Sequence, residues 1–259
     1  MLKEDVKFSD SNVLEGMTSI SSLLNCDPLI NDRKIIKVQI DESKRRKKSP
    51  EIGFLIAKSH ELGFAVEFVD ASVIEQSTVG NSHGGIIAFC TERHLQTLTK
   101  DHLKQKGFYV YLEGIEDPYN FGNAIRSLYA AGVDGIVIPP RNWMSAAGVL
   151  ARASAGTSER LPFYIADAET VSTVFHGFGY RILCAGIRDS VSVYEADLSY
   201  PILLVIGGEK RGISRNLLDS ADQILRIDYG RAFQGSLSAA ASAAVLGFEI
   251  MKNNIFNKN

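Results

Sequence analysis

The chain has 259 residues, 45% of them hydrophobic and 22% charged, with seven prolines. That composition excludes a disordered or fibrous protein, and at about 150 residues per domain it suits one larger and one smaller folded unit. Twenty-eight Lys and Arg against 30 Asp and Glu give a formal charge of -2, which excludes a uniformly basic coat for nucleic acid and makes any polyanion site local.

In chain order, Met1 to Asp10 mixes charges of both signs and leads into no apolar stretch, so no secretory signal is expected. The first third reads as a small α/β unit. Strands are predicted at Lys34 to Ile40, Ala65 to Val69 and Gly85 to Phe89, with a helix over Glu51 to Leu62. The basic cluster Lys44, Arg45, Arg46, Lys47 and Lys48 lies in this unit; it suits RNA phosphates, although such runs are also ordinary solvated loops. A polar, Lys-rich stretch without an apolar face then marks a boundary, giving a first domain over 1–92, a linker over 93–107 and a second domain over 108–259.

In the second domain, strand and helix alternate. Strands are predicted at Phe108 to Leu112, Gly135 to Ile138, Arg181 to Ala185, Pro201 to Ile206 and Ile224 to Ile227. Helices are predicted at Gly122 to Ala131, Val171 to Phe175, Ser214 to Ala221 and Ser238 to Met251. Buried apolar strands between helices predict a mostly parallel sheet with helices on both faces. Ligands of such sheets gather at the carboxyl ends of strands, which directs attention to the turns after Leu112, Ile206 and Ile227.

The turn Gly207-Gly208-Glu209-Lys210-Arg211-Gly212-Ile213-Ser214 has Ile213 where a Walker A loop needs Lys, and its glycines lack the dinucleotide spacing. It offers close backbone approach and one carboxylate, or a plain strand-to-helix turn. After Leu112, an Asp117-Pro118 turn opens a helix with Asn120 near its cap. Arg126 follows, a cation in the first turns of a helix whose N-terminus already favours anions, so a phosphate is one partner and a surface ion pair with Glu113 or Glu116 another. The third segment, Gln234-Gly-Ser-Leu-Ser238, opens an Ala-rich helix with Ser236 as candidate N-cap. The five histidines have no metal-ligand spacing, and Ser154 lacks the leading glycine of a nucleophile elbow, having Arg152 there. Neither a metal nor hydrolase chemistry is expected. Cys26, Cys90 and Cys184 form no framework and read as buried small hydrophobes of a cytoplasmic protein.

Together the three segments resemble the signature motifs of the SpoU/TrmH branch of the SPOUT RNA methyltransferases. Asp117-Pro-Tyr-Asn120-Phe-Gly-Asn-Ala-Ile-Arg126 is similar to motif 1, Leu204-Val-Ile-Gly207-Gly-Glu209-Lys-Arg-Gly-Ile-Ser214 to motif 2, and Gly235-Ser236-Leu237 to the start of motif 3. Val13 to Ile20 and His83 to Ala88 are similar to the edges of the ribosomal-protein-like RNA-binding domain that many members carry.

The resemblance implies an α/β fold whose parallel sheet ends in a deep trefoil knot, and a homodimer. It implies S-adenosylmethionine held by the backbone of Gly207, Ile227 and Leu237, and methyl transfer to a ribose 2′-hydroxyl of RNA, ribosomal RNA first and transfer RNA second. Arg126, Asn120, Glu209 and Ser236 would be the catalytic group. Members commonly have Ser-Leu-Asn in motif 3, whereas this chain has Ser236-Leu237-Ser238 and an altered loop over 228–234. An RNA-binding protein with weakened or lost turnover is therefore the alternative.

Overall fold

The computed structural model describes residues 12–46, 49–78, 83–140 and 146–256. The chain divides into two compact units, one formed by Met1–His94 with Asn142–Arg160, the other by Leu95–Arg141 with Leu161–Asn259.

In the first unit, strands β1 (Val13–Glu15), β2 (Ile35–Asp41), β3 (Ala65–Val69) and β4 (Ile86–Cys90) form a sheet of order β1-β4-β2-β3. Strand β4 runs antiparallel to both β1 and β2, while β2 and β3 are parallel. Helices α1 (Gly16–Leu24), α2 (Pro50–Leu62) and α3 (Ala71–Gln76) complete the N-terminal part. Leu14, Ile20, Val38, Ile40, Leu55 and Ala88 form its core, joined by Ala151 from helix α5 (Ala147–Ala153).

The expected boundaries of 1–92 and 108–259 thus meet a different division, because the described residues 146–160 pack with the N-terminal ones. A buried polar cluster accounts for this. The Glu159 carboxylate, almost fully buried, accepts from Asn31 Nδ2 at 2.9 Å and pairs with Arg33 Nη1 at 3.3 Å. Arg93 donates to the carbonyls of Ser158 and Ile30, and Arg152 pairs with Glu15 at 2.6 Å. Buried charges persist only when paired and hydrogen-bonded, so the segment is fastened where its partners are. Ser154 is fully buried and its hydroxyl accepts from the Ser158 amide, a structural use consistent with the missing elbow.

The second unit is built on eight strands: β5 (Gln96–Thr97), β6 (Phe108–Glu113), β7 (Gly135–Ile138), β8 (Phe163–Ile165), β9 (Arg181–Ala185), β10 (Val191–Ser192), β11 (Ile202–Gly207) and β12 (Gln223–Arg226). Their order is β10-β12-β9-β11-β6-β7-β8-β5, and every neighbouring pair is parallel. The unbroken apolar runs of β6 and β11 fit their central places, where both faces are covered.

Tyr109, Tyr111, Leu203 and Val205 share one face with Val171 and Phe175 of α6 (Ala168–Gly177) and Leu217 of α7 (Arg215–Asp219). The alternate residues Phe108, Val110 and Leu112 point the other way and are also buried. On that side α8 (Ala239–Ile255) meets β11 and packs on α4 (Pro118–Ala130).

The stretch expected as a linker, 93–107, is integral instead. Gln96 and Thr97 pair with β8, and Leu98 and Leu103 enter the core. Apart from the buried Arg93, its polar residues are exposed or half-buried while two spaced leucines anchor it, a pattern too sparse to read as an element.

Candidate functional site

Strand β6 lies between β7 on one side and β11 on the other, so the sheet's connectivity reverses beside the carboxyl ends of β6 and β11, where a crevice is expected. The residues there keep two loops in close contact. A Cβ at Gly208 would run into the Gly114 carbonyl, and one at Gly207 into the Gly212–Ile213 backbone. Gly212 adopts φ +65 and returns its amide to the Gly208 carbonyl at 2.9 Å. Glycine is required at Gly207 and Gly208 by space and at Gly212 by conformation.

Polar contacts tie the same loops together. Asn120 Nδ2 donates to Glu209 Oε1 at 3.0 Å, Lys210 pairs with Glu116 at 2.7 Å, and the Ser214 amide donates to Glu113 Oε2 at 2.7 Å. Glu113 and Glu116 are thus engaged by the β11 turn, and Arg126 has no ion pair among the described residues. The cap of α4 is Asp117, whose carboxylate accepts from the amides of Tyr119 and Asn120; Pro118 follows at the position where its missing N–H costs nothing. Asn120 is therefore inside the helix, and its side chain is free to reach Glu209.

Beside these turns lies a cavity of about 490 Å3. The turn after β11 lines it with Gly207, Gly208 and Glu209, the end of β12 with Ile227, and the third segment with Gly235, Ser236 and Leu237. All three glycine-bearing segments thus meet at one place: the second and third line the cavity, and the first joins through Asn120.

Arg126 is exposed on α4 and is not among the lining residues. With Tyr119 and Asn123 it occupies the exposed stripe of that helix. In the first unit, Arg45 is exposed, pairs with Glu42 at 2.6 Å and lies over the Phe68 ring, 4.6 Å from its centroid. Arg46 is exposed and Lys44 half-buried, while Lys47 and Lys48 lie outside the described residues.

The helix-cap expectation at Ser236 is corrected. Ser238 caps α8, its hydroxyl accepting from the Ala241 amide at 3.2 Å, which leaves Ser236 exposed on the cavity wall. The residue departing from Ser-Leu-Asn therefore has a capping role that serine fulfils well. The Ala-rich helix α8 meets different surroundings on different faces. Ala239, Ser242 and Leu246 line the cavity, while Gly247 comes close to Leu128 of α4 and to Ala131, which follows that helix.

Sequence reasoning missed Ala185 at the end of β9 with Gly186 and Ile187 after it, and Tyr229 and Phe233 in the loop after β12, all of which line the cavity. The glycine after β9 was the available signal: a Cβ at Gly186 would sit 2.8 Å from Ile224 Cγ2. The Leu237 amide donates to Tyr229 Oη at 3.3 Å, which folds that loop onto the third segment.

The solved structures most similar to the chain include the SpoU methyltransferase AviRb from Streptomyces viridochromogenes in complex with AdoMet, with TM-score 0.78 at 17% identity over 97% of this chain and 98% of that one. An AdoMet-bound rRNA methyltransferase from Sinorhizobium meliloti aligns with TM-score 0.77 at 21% identity, over 96% and 94% of the two chains. In sequence, the chain is 22% identical to the 23S rRNA (guanosine-2′-O-)-methyltransferase RlmB of Haemophilus influenzae, over 95% of this chain and 99% of that one. It is 26% identical to a putative TrmH family tRNA/rRNA methyltransferase of Staphylococcus saprophyticus, over 87% and 91%. The model of the SpoU rRNA Methylase family matches residues 107–248, more than half of the chain and the whole of the motif-bearing region, and the chain belongs to that family.

Proposed function

We propose that the protein methylates a ribose 2′-hydroxyl in ribosomal RNA with S-adenosylmethionine as methyl donor. The observation that carries this reading is the meeting of the three motif segments at one glycine-walled cavity, with Asn120 bonded to Glu209 beside it. Support comes from family membership and from relatives that are named as 23S rRNA (guanosine-2′-O-)-methyltransferases.

The cavity suits such a donor. Gly207, whose missing Cβ leaves room against the Gly212 backbone, has only main chain to offer the space, and Ile227 and Leu237 line it too. These three residues would hold the cofactor. When bound, S-adenosylmethionine supplies an activated methyl group on a sulfonium, so this chain must chiefly align the 2′-oxygen and assist loss of its proton.

Asn120 and Glu209 orient each other at the cavity edge, and Ser236 offers a hydroxyl on the wall. The Arg126 guanidinium acts by charge, holding the phosphate beside the target ribose and stabilising the developing alkoxide. Its place outside the cavity lining fits a homodimer, in which a second copy completes the site. Exposed Tyr119 on α4 and Phe248 and Ile255 on α8 are consistent with a covered helical face. The reading also carries the knotted C-terminal segment, to which the insertion of β11 between β6 and β9 is suited, and an N-terminal unit that uses Lys44 to Lys48 on RNA.

Transfer of labelled methyl to ribosomal RNA from cells lacking the protein tests the reading. Wild type is expected to transfer label, and Arg126→Ala to lower kcat by about 10²–10³ while cofactor affinity is kept. Label transfer at the wild-type rate by Arg126→Ala contradicts its role.

A further inference from the structure

Resting on that reading, we propose that Tyr229 and Phe233 form the platform on which the base of the nucleotide being methylated stacks. Both residues line the cavity. Their rings meet edge to face at 5.5 Å and 65°, yet Phe233 is 57% exposed and Tyr229 38%. Large aromatic surface is ordinarily removed from water, so a pair held at a cavity wall but open to solvent suits a planar ligand arriving from outside.

The loop is held in this arrangement by three contacts. The Leu237 amide donates to Tyr229 Oη, Arg226 Nε pairs with Asp228 at 2.7 Å, and Gly235 leaves room for the Phe233 ring, which a Cβ there would approach to 2.6 Å. The aromatics are thus supported from behind and presented outward.

The chemistry supplies the ligand. Sequence-specific RNA recognition targets bases splayed out of their stack, which frees the ribose to enter a concave site, and an unstacked base gains from an aromatic replacement. Every base has a π-face, so Tyr229 and Phe233 would fix the position of the nucleotide, and edge contacts would choose its identity. The cofactor is the competing occupant. Its pocket lies among the half-buried residues Gly207, Ile227 and Leu237, whereas the Phe233 ring is exposed to solvent.

The test uses the full-length protein, S-adenosylmethionine and ribosomal RNA from cells lacking the protein. Phe233→Ala is expected to raise KM for RNA by at least about fivefold, with kcat and cofactor Kd each within about twofold of wild type. Phe233→Trp should restore KM, and Phe233→Leu, of similar bulk but without a π-face, should not. The ring's exposure means folding is spared, and an unchanged thermal midpoint checks this. An unchanged KM in Phe233→Ala overturns the proposal. So does rescue by leucine, which would make the ring a mere apolar cover, or a loss of cofactor affinity as large as the loss for RNA, which would put the cofactor on the platform. Absence of any transfer by wild type fails the functional reading and the proposal with it, an outcome distinct from an active wild type matched by Phe233→Ala.

Discussion

At the residue scale, the site depends on what is missing from the side chains as much as on what is present. At Gly207 a single methyl group has no place to go, because the obstacle is the Gly212–Ile213 backbone and not a side chain that can swing away. Gly207→Ala should therefore shift the turn, destabilise the protein by about 1–3 kcal/mol as other overpacking substitutions do, and weaken S-adenosylmethionine binding by about tenfold or more. Calorimetric titration checks this; wild-type affinity in the variant would show that the turn does not form the cofactor wall.

The Asn120–Glu209 bond calls for a different expectation. Glu209 is exposed and the pair contributes at most about 1 kcal/mol to folding, but misplacing the groups it orients costs about a hundredfold in rate. Asn120→Ala and Glu209→Ala should each cut kcat while leaving the melting temperature nearly unchanged, and the double variant should be little worse than either. Additive losses in a double-mutant cycle would mean that the two residues act separately.

At the scale of elements, most of the sheet was legible from sequence. Strands β7 and β9 fall where their apolar runs predicted, since a central parallel strand needs only a short unbroken apolar stretch between turn residues. Short elements were not legible. Strands β1, β5, β8 and β10 have two or three residues each, at most one and a half repeats of the two-residue strand period and too few to establish a pattern. The cap of α8 was placed two residues early because Ser236 and Ser238 are chemically equivalent and only the chain path separates them.

Nor could periodicity assign 142–160 to the first unit, because the reason is a cluster of partners distant in sequence. Arg33 has a fully buried side chain, and Glu159 is its ion-pair partner. Glu159→Ala should destabilise the first unit by about 3–5 kcal/mol by leaving a buried charge uncompensated. Urea unfolding followed by hydrogen exchange over the N-terminal strands measures this, and a loss below about 1 kcal/mol would show that the cluster is not what fastens the segment.

At the scale of the whole molecule, burial gives the protein an alkaline limit. It pushes the Cys90 and Cys184 thiols up to about 12 from an ordinary 9.0, and it raises Tyr109, Tyr111 and Tyr180 above their ordinary 10.0. The unfolded chain gives up these protons first, so above about pH 9 it binds fewer protons than the folded protein and stability falls as pH rises. Below about pH 8 both states keep the protons and these groups contribute no slope. Denaturant midpoints at about pH 8 and pH 10 should differ in that direction, and equal midpoints would contradict the burial of these groups.

The motif-bearing segments of the site were legible because they lie after strands and each carries glycine. The aromatic wall at Tyr229 and Phe233 was not, because no spacing marks a loop residue that will face a cavity. The central claim, that these segments form a site for transfer to ribose oxygen, is tested most directly by nucleoside analysis of ribosomal RNA incubated with the protein and methyl-labelled S-adenosylmethionine. The label is expected to elute as a 2′-O-methylnucleoside from a single RNA position and to disappear with Arg126→Ala. Label on a base, or no transfer by a folded protein that binds the cofactor, would contradict it.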